Sequence, residues 1–315
     1  MALIEIQNLR KTFQDVTAVD GLSLSVGEQE VHGILGPNGA GKSTTIACML
    51  GLIPFDSGTV VFENGASLKK WSRHIGYVPQ DLAIYPDLTA EENIRFFCSL
   101  YGFKGNDLQT RTEQALDFVG LMEVRDKKAK EFSGGMKRRL NLACGIVHSP
   151  KLIIMDEPTV GIDPQSRNRI LENVRSLREN GATILYTTHY MPEVEAICNK
   201  ITVIDHGRVI ATGSKADIMK LMGKDVELVI EFAEDSTLLD TFMKEIAEMD
   251  SVHKVTGEAN ICKIWHPEDT VVMDKVIPLS IQYGLVIRNI VQQEPSLEEL
   301  FLTLTGKDLR DQEVS

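Results

Sequence analysis

The segment GPNGAGKST, Gly36 to Thr44, limits what this chain can fold into more than any other stretch does. It fits the spacing Gly, four residues, Gly, Lys, Ser/Thr, and it lies between an apolar run sized for a buried strand, Val31 to Gly36, and a helical pattern opened by Ser43, Thr44 and Thr45. Strand, glycine-rich turn and helix is the context in which such a loop wraps phosphate. Gly36, Gly39 and Gly41 carry no β-carbon, so the backbone through Pro37, Asn38 and Ala40 can curl tightly with its amides inward. The following helix N-terminus adds a favourable dipole for an anion. Lys42 would reach the β- and γ-phosphates of a nucleotide, and the Ser43 hydroxyl would ligate Mg2+. A ligand-free turn is the alternative, and it would leave a buried Lys42 without a partner.

Leu152 to Met155 is a second apolar run, suited to a strand covered on both faces, and Asp156 and Glu157 stand at its carboxyl end. Adjacent carboxylates on a strand point to opposite sides, so the two should have different tasks. Asp156 is expected to serve Mg2+, through water, and Glu157 to act as general base on an attacking water. Thr183 to His189 reads as another buried strand with a polar tip, where His189 could contact the γ-phosphate or that water. Gln80, in YVPQD, closes a further strand, IGYVPQ, and Ser133-Gly134-Gly135 begins a helical stretch, FSGGMKRRL. Two glycines directly after a helix-capping serine exceed what an ordinary cap requires.

This ordered series resembles the ATP-binding cassette (ABC) ATPases, over residues 1 to about 219. The resemblance implies an α/β fold, a P-loop NTPase cassette with antiparallel β and helical subdomains, the helical one spanning about 87–148. It further implies that ATP and Mg2+ are bound, with Phe13 stacking on adenine, Gly36 to Thr44 and Gln80 contacting ATP, and Ser43, Gln80 and Asp156 serving the metal. Glu157 and His189 would be catalytic. Ser133, Gly134, Gly135 and Asp163 would contact ATP held by a second copy, so the chain should work as a homodimer, or as a pair with a similar ATPase, closed by two-fold symmetry. The usual signature is LSGGQ, and Met136 here replaces the polar fifth residue. FSGGMKRRL, with EPSLEELFLTLTG near the end, is similar to exporter ATPases of the antibiotic-resistance and sodium-efflux type (ABC-2). The partner implied is a separately encoded transmembrane permease, docked near Leu82, Ile84, Tyr85 and Leu88, with Phe96, Phe97 and Tyr101 filling the subdomain core. A soluble non-transport ABC ATPase and an importer ATPase are the alternatives.

Composition narrows the class. No apolar run reaches the roughly 18 residues a membrane helix needs, and a signal-peptide pattern is not seen, so the chain is expected on the cytoplasmic side of the cell membrane, held there through the permease. Five cysteines scattered without a close pair suit a reducing compartment. Residues 1–219 carry 24 Lys/Arg against 26 Asp/Glu, whereas residues 220–315 carry 9 against 19. That acidic second part disfavours nucleic acid as a partner. Over 224–315 the pattern reads βαββαβ, a small α+β ferredoxin-like accessory domain for packing or dimer support. Ser296 with Glu299 marks a last helix carrying Leu297, Leu300, Phe301 and Leu304 on one face.

Overall fold

Burial along the first strands separates two kinds of sheet. In a computed structural model, which describes residues 2–219, 225–234, 238–267 and 270–293, β1 (Ala2–Phe13) and β2 (Val16–Gly27) alternate between buried and exposed positions. By contrast β3 (Val31–Leu35) is buried at all five positions and runs through the glycine loop into α1 (Lys42–Met49). β4 (Ser57–Phe62) returns to β1, giving an antiparallel sheet of order β2–β1–β4. Alternation suits a sheet with one solvated face, and continuous burial suits a strand covered on both.

After α2 (Leu68–Trp71), a short helix the sequence pattern did not reveal, the chain forms β5 (Ile75–Val78). This strand stops two residues short of Gln80, because Pro79 has no N–H to give to a ladder. Three helices follow: α3 (Ala90–Leu100), α4 (Gly105–Phe118) and α5 (Gly134–Ile146). α3 opens with a complete capping box, in which the Thr89 hydroxyl accepts from the Glu92 amide and the Glu92 carboxylate accepts from the Thr89 amide. The chain then alternates β6 (Leu152–Asp156), α6 (Pro164–Glu179), β7 (Thr183–Thr188), α7 (Met191–Ile197) and β8 (Lys200–Asp205). A hairpin through His206 and Gly207, both at positive φ, adds β9 (Arg208–Gly213), and α8 (Lys215–Met219) follows.

The main sheet has the order β5–β6–β7–β3–β8–β9, parallel except for the last pair. Successive residues of β6 serve opposite cores. Ile153 and Met155 join the helices α3 to α5, whereas Leu152 and Ile154 join β1, β2 and α1. The ends of β3, β6 and β7 lie side by side, so the glycine loop, Asp156 and His189 emerge at one edge of the sheet, where open α/β sheets bind ligands.

The described residues divide into two compact units, one ending at Lys215 and the other beginning at Ala216. In the second, β10 (Asp225–Phe232), α9 (Leu239–Ala247), β11 (Lys254–Glu258), β12 (Ile261–Pro267), α10 (Met273–Gln282) and β13 (Ile287–Gln293) form an antiparallel sheet of order β11–β12–β10–β13. That is the interleaved arrangement of a split βαβ sandwich. Leu228, Ile230, Phe242, Ile264 and Val276 make a core of its own. The last helix expected from Ser296, and its face of Leu297, Leu300, Phe301 and Leu304, lies outside the described residues.

Candidate nucleotide site

Gly41, the residue before α1, has φ 101°, and a β-carbon there would lie 2.4 Å from the carbonyl oxygen of Ala18. Only glycine can turn the chain into the helix at this point. Immediately after it, Lys42 is buried, and its ammonium donates to the Gly36 carbonyl at 2.8 Å and the Pro37 carbonyl at 3.2 Å. It also stands 3.2 Å from Glu157 Oε1. The expectation that Lys42 would lack a protein partner is therefore wrong: three oxygens offset the cost of burying its charge. Ser43 and Asn38 are exposed, and Ser43 Oγ donates to Asp156 Oδ1 at 3.2 Å. Asp156 also accepts from Thr187 Oγ1 at 2.6 Å, a tie across β6 and β7 that sequence reading missed.

Glu157 does not continue the strand. It has φ 45°, in the left-handed region, and its amide donates to both the hydroxyl and the carbonyl of Thr187. The two adjacent carboxylates thus do not face opposite sides of a strand. Both meet the glycine loop, Asp156 through Ser43 and Glu157 through Lys42. Glu157 Oε2 also accepts from His189 Nδ1 at 3.2 Å. Burial pushes the Glu157 carboxyl up, but the hydrogen bond from His189 and the charge of Lys42 outweigh it and hold the group below its usual range. The same hydrogen bond raises His189 above its ordinary value against the opposing effect of burial. Lys42, Glu157 and His189 form a continuous chain of polar contacts along the end of the sheet.

The remaining candidates divide into two places. Phe13 is exposed at the end of β1, with the Lys11 ammonium 4.9 Å from its ring centre. Gln80 is exposed beyond β5, and its carbonyl accepts from the Arg138 guanidinium, which also donates to the Val160 carbonyl at 3.3 Å. In sequence Arg138 is one of three consecutive cations, Lys137-Arg138-Arg139, with nothing to mark it out. Its contacts cross from α5 to two loops and could not be seen in sequence.

Ser133 caps α5, its hydroxyl accepting from the Met136 amide. Gly134 is exposed, and a β-carbon there would make only ordinary contacts, 3.9 Å from the Gly161 carbonyl oxygen and 4.0 Å from Ile162 Cγ2, but Gly135 is buried, and a β-carbon there would lie 2.0 Å from Ser166 Oγ. Packing against α6 is therefore reason enough for the second glycine. Asp163 caps α6, accepting from the Ser166 amide at 2.9 Å and hydroxyl at 2.7 Å, and these bonds hold its carboxyl below the usual range. Ser133, Met136 and Asp163 line one cleft of about 780 Å³, together with Arg139 and Arg169. None of the glycine-loop residues lines it.

A second groove, of about 450 Å³, is lined by Leu50, Leu52, Leu68, Tyr77, Phe97 and Tyr101, with others. Leu82, Ile84, Tyr85 and Leu88, the residues expected at a docking groove, do not line it. Phe96 was expected inside the core and is instead exposed, edge-on to Tyr85 at 5.0 Å. Tyr101 leaves the core for a stack on His148 at 3.6 Å.

Comparison with known proteins gives a consistent pattern. Residues 19–160 match the family model described as ABC transporter. The linearmycin resistance ATP-binding protein of Bacillus subtilis (strain 168) is 41% identical over 316 residues, covering 98% of this chain and 100% of that protein. The Nod factor export ATP-binding protein I of Burkholderia lata is 37% identical, covering 99% of each. Among solved structures, the ATP-binding subunit of an ABC transporter matches with a TM-score of 0.64 at 30% identity, over 70% of this chain and 93% of that one. An ATP-binding cassette of an ABC transporter in its ADP conformation matches with a TM-score of 0.61 at 26% identity, over 69% and 92%.

Proposed function

This chain belongs to the ABC transporter ATP-binding family, and from that premise we propose that its ATP site is assembled from two copies. One copy contributes the glycine loop, Asp156, Glu157 and His189. The other contributes Ser133, Gly134, Gly135 and Asp163. The chain is the ATP-hydrolysing subunit of an exporter, consistent with the resistance and export functions named for its relatives. The observation that carries the two-copy reading is the separation described above: the signature serine and Asp163 share a cleft with no glycine-loop residue.

The residues present fit Mg2+ and ATP. Ser43 and Asp156 offer hard oxygen donors 3.2 Å apart, the set Mg2+ takes beside phosphate, and Gln80 is the third candidate. Bound Mg2+ supplies neutralisation of the phosphate charge. Lys42 exchanges its loop carbonyls for phosphate oxygens, and Phe13 stacks on the base. Glu157, kept ionised by His189 and Lys42, accepts a proton from the attacking water. His189 orients that carboxylate through its hydrogen bond.

Among the described residues no helix is long and apolar enough to cross a membrane. The apolar lining of the groove at Leu52, Phe97 and Tyr101 supports a reading in which an apolar segment of a separate permease docks there and a homodimer of this chain works at the cytoplasmic face of the membrane. In a Glu157→Gln chain ATP turnover falls about 10²- to 10⁴-fold while ATP still binds, so ATP-dependent dimers accumulate and are seen by light scattering. Adding Ser133→Arg to the same chain abolishes those dimers without weakening ATP binding to the monomer. Dimers that persist with Ser133→Arg would refute the shared site.

A further inference from the structure

Four residues beyond His189, the carboxylate of Glu193 on α7 is almost fully buried and is held by three hydroxyl donors and one ion pair. Oε1 accepts from Thr159 Oγ1 at 2.6 Å and pairs with Arg167 Nε at 3.4 Å. Oε2 accepts from Tyr186 OH at 3.0 Å and from Thr188 Oγ1 at 2.9 Å. A buried carboxylate is retained only when its charge is compensated, and here three hydroxyl hydrogen bonds and the Arg167 ion pair do so.

The positions of the donors give the group its meaning. Thr159 lies two residues after Glu157. Thr188 lies directly before His189, and its hydroxyl also accepts from the Tyr190 amide at 3.0 Å. Arg167 adds a second hold on the same segment, its guanidinium 4.6 Å from the Tyr190 ring centre. Both residues flanking His189 and the loop leaving Glu157 are thereby tied to one anion.

We propose that Glu193 is a positioning residue for hydrolysis, fixing the loop after Glu157 and the segment bearing His189 in register so that their 3.2 Å hydrogen bond is made. This rests on the reading of Glu157 and His189 as the hydrolytic pair. Glu193 touches neither side chain. It acts through Thr159, Thr188 and Tyr190, and a misplacement of about 1 Å in such a pair costs on the order of 10²-fold in rate.

The test measures kcat, KM and the affinity of a fluorescent ATP analogue for the full chain and for Glu193→Ala, Glu193→Gln, His189→Ala and the double variant Glu193→Ala/His189→Ala. Near-isosteric Thr159→Val and Thr188→Val are included, since each removes one hydroxyl and keeps the fold if Glu193→Ala does not. Glu193→Ala is expected to lose about 10- to 100-fold in kcat with analogue affinity changed less than about threefold, and Glu193→Gln to recover part of the loss. The two valine variants are expected to fall in the same direction. Adding Glu193→Ala to His189→Ala is expected to cost little more, because the residue acts through the histidine. Wild-type kcat in Glu193→Ala and both valine variants, beside an impaired His189→Ala, would overturn the assignment of Glu193 alone. Losses that multiply in the double variant, or a loss of analogue affinity equal to the loss of kcat, would overturn it as well. Full turnover in His189→Ala would instead remove the underlying reading of the site.

Discussion

Replacing Gly135 by alanine separates two reasons for a glycine in the signature. The added β-carbon would stand 2.0 Å from Ser166 Oγ and 2.5 Å from Ser166 Cβ, so no rotation of the serine relieves the overlap and α5 or α6 must shift. Overpacking of this kind costs about 1–3 kcal/mol, and displacing Ser166 also weakens its two bonds to Asp163. A loss of roughly 2 kcal/mol lowers the melting temperature of a unit this size by about 4–8 °C. Ser166→Gly creates the space, at its own cost of about 1 kcal/mol for the lost hydroxyl bond and about 1 kcal/mol for glycine in a helix. The two changes together should therefore be less damaging than their sum, with a coupling of about 1–2 kcal/mol. Denaturant unfolding of the wild type, both single variants and the double variant measures it. Coupling within about 0.3 kcal/mol of zero would refute the steric argument. ATP turnover of the double variant then addresses the second reason. Recovery of rate with stability assigns Gly135 to packing, and a rate that stays low assigns its backbone a role toward the second copy's phosphate as well.

Stability should depend on pH through the Glu157–His189 pair. His189 is raised above 6.5, so its contribution is complete below that value and is lost as pH rises through the raised one; Glu157 is lowered below 4.5, so its contribution is complete above that value and is lost as pH falls through the lowered one. The stability difference between wild type and His189→Gln should accordingly be largest between pH 4.5 and 6.5. Urea unfolding at about pH 5.5 and about pH 9 checks this, and equal differences would count against the pair. A chain stopped after Gly223 should keep its thermal transition and its ATP affinity, because the cores of the first unit and of the second share no residue. Loss of cooperative unfolding in the shortened chain would show that the first unit depends on the second.

Much of this protein was settled by local sequence. The loop from Gly36 to Thr44 could be located because a phosphate-wrapping turn needs glycine at fixed offsets and a lysine beside it, which is a short-range requirement. The βαββαβ rhythm of the second unit was readable for a similar reason, since the burial of Leu228, Ile230 and Phe232 along β10 and the helical periodicity of α9 are each set by which face is buried. Tertiary structure decided what depended on neighbours far away in sequence. Glu157 was expected to point away from Asp156, but Thr187 takes its amide and turns it toward Lys42. Gly135 was expected only as a ligand contact, and α6 gives it a packing reason as well by bringing Ser166 against it. Glu193 carried no signal, because a glutamate in a short helix looks solvated, and only the meeting of α6, β7 and the loop after Glu157 surrounds it with donors. Spacing along the chain determines which groups are available for the chemistry, while the long-range packing of strands and helices determines which of them touch.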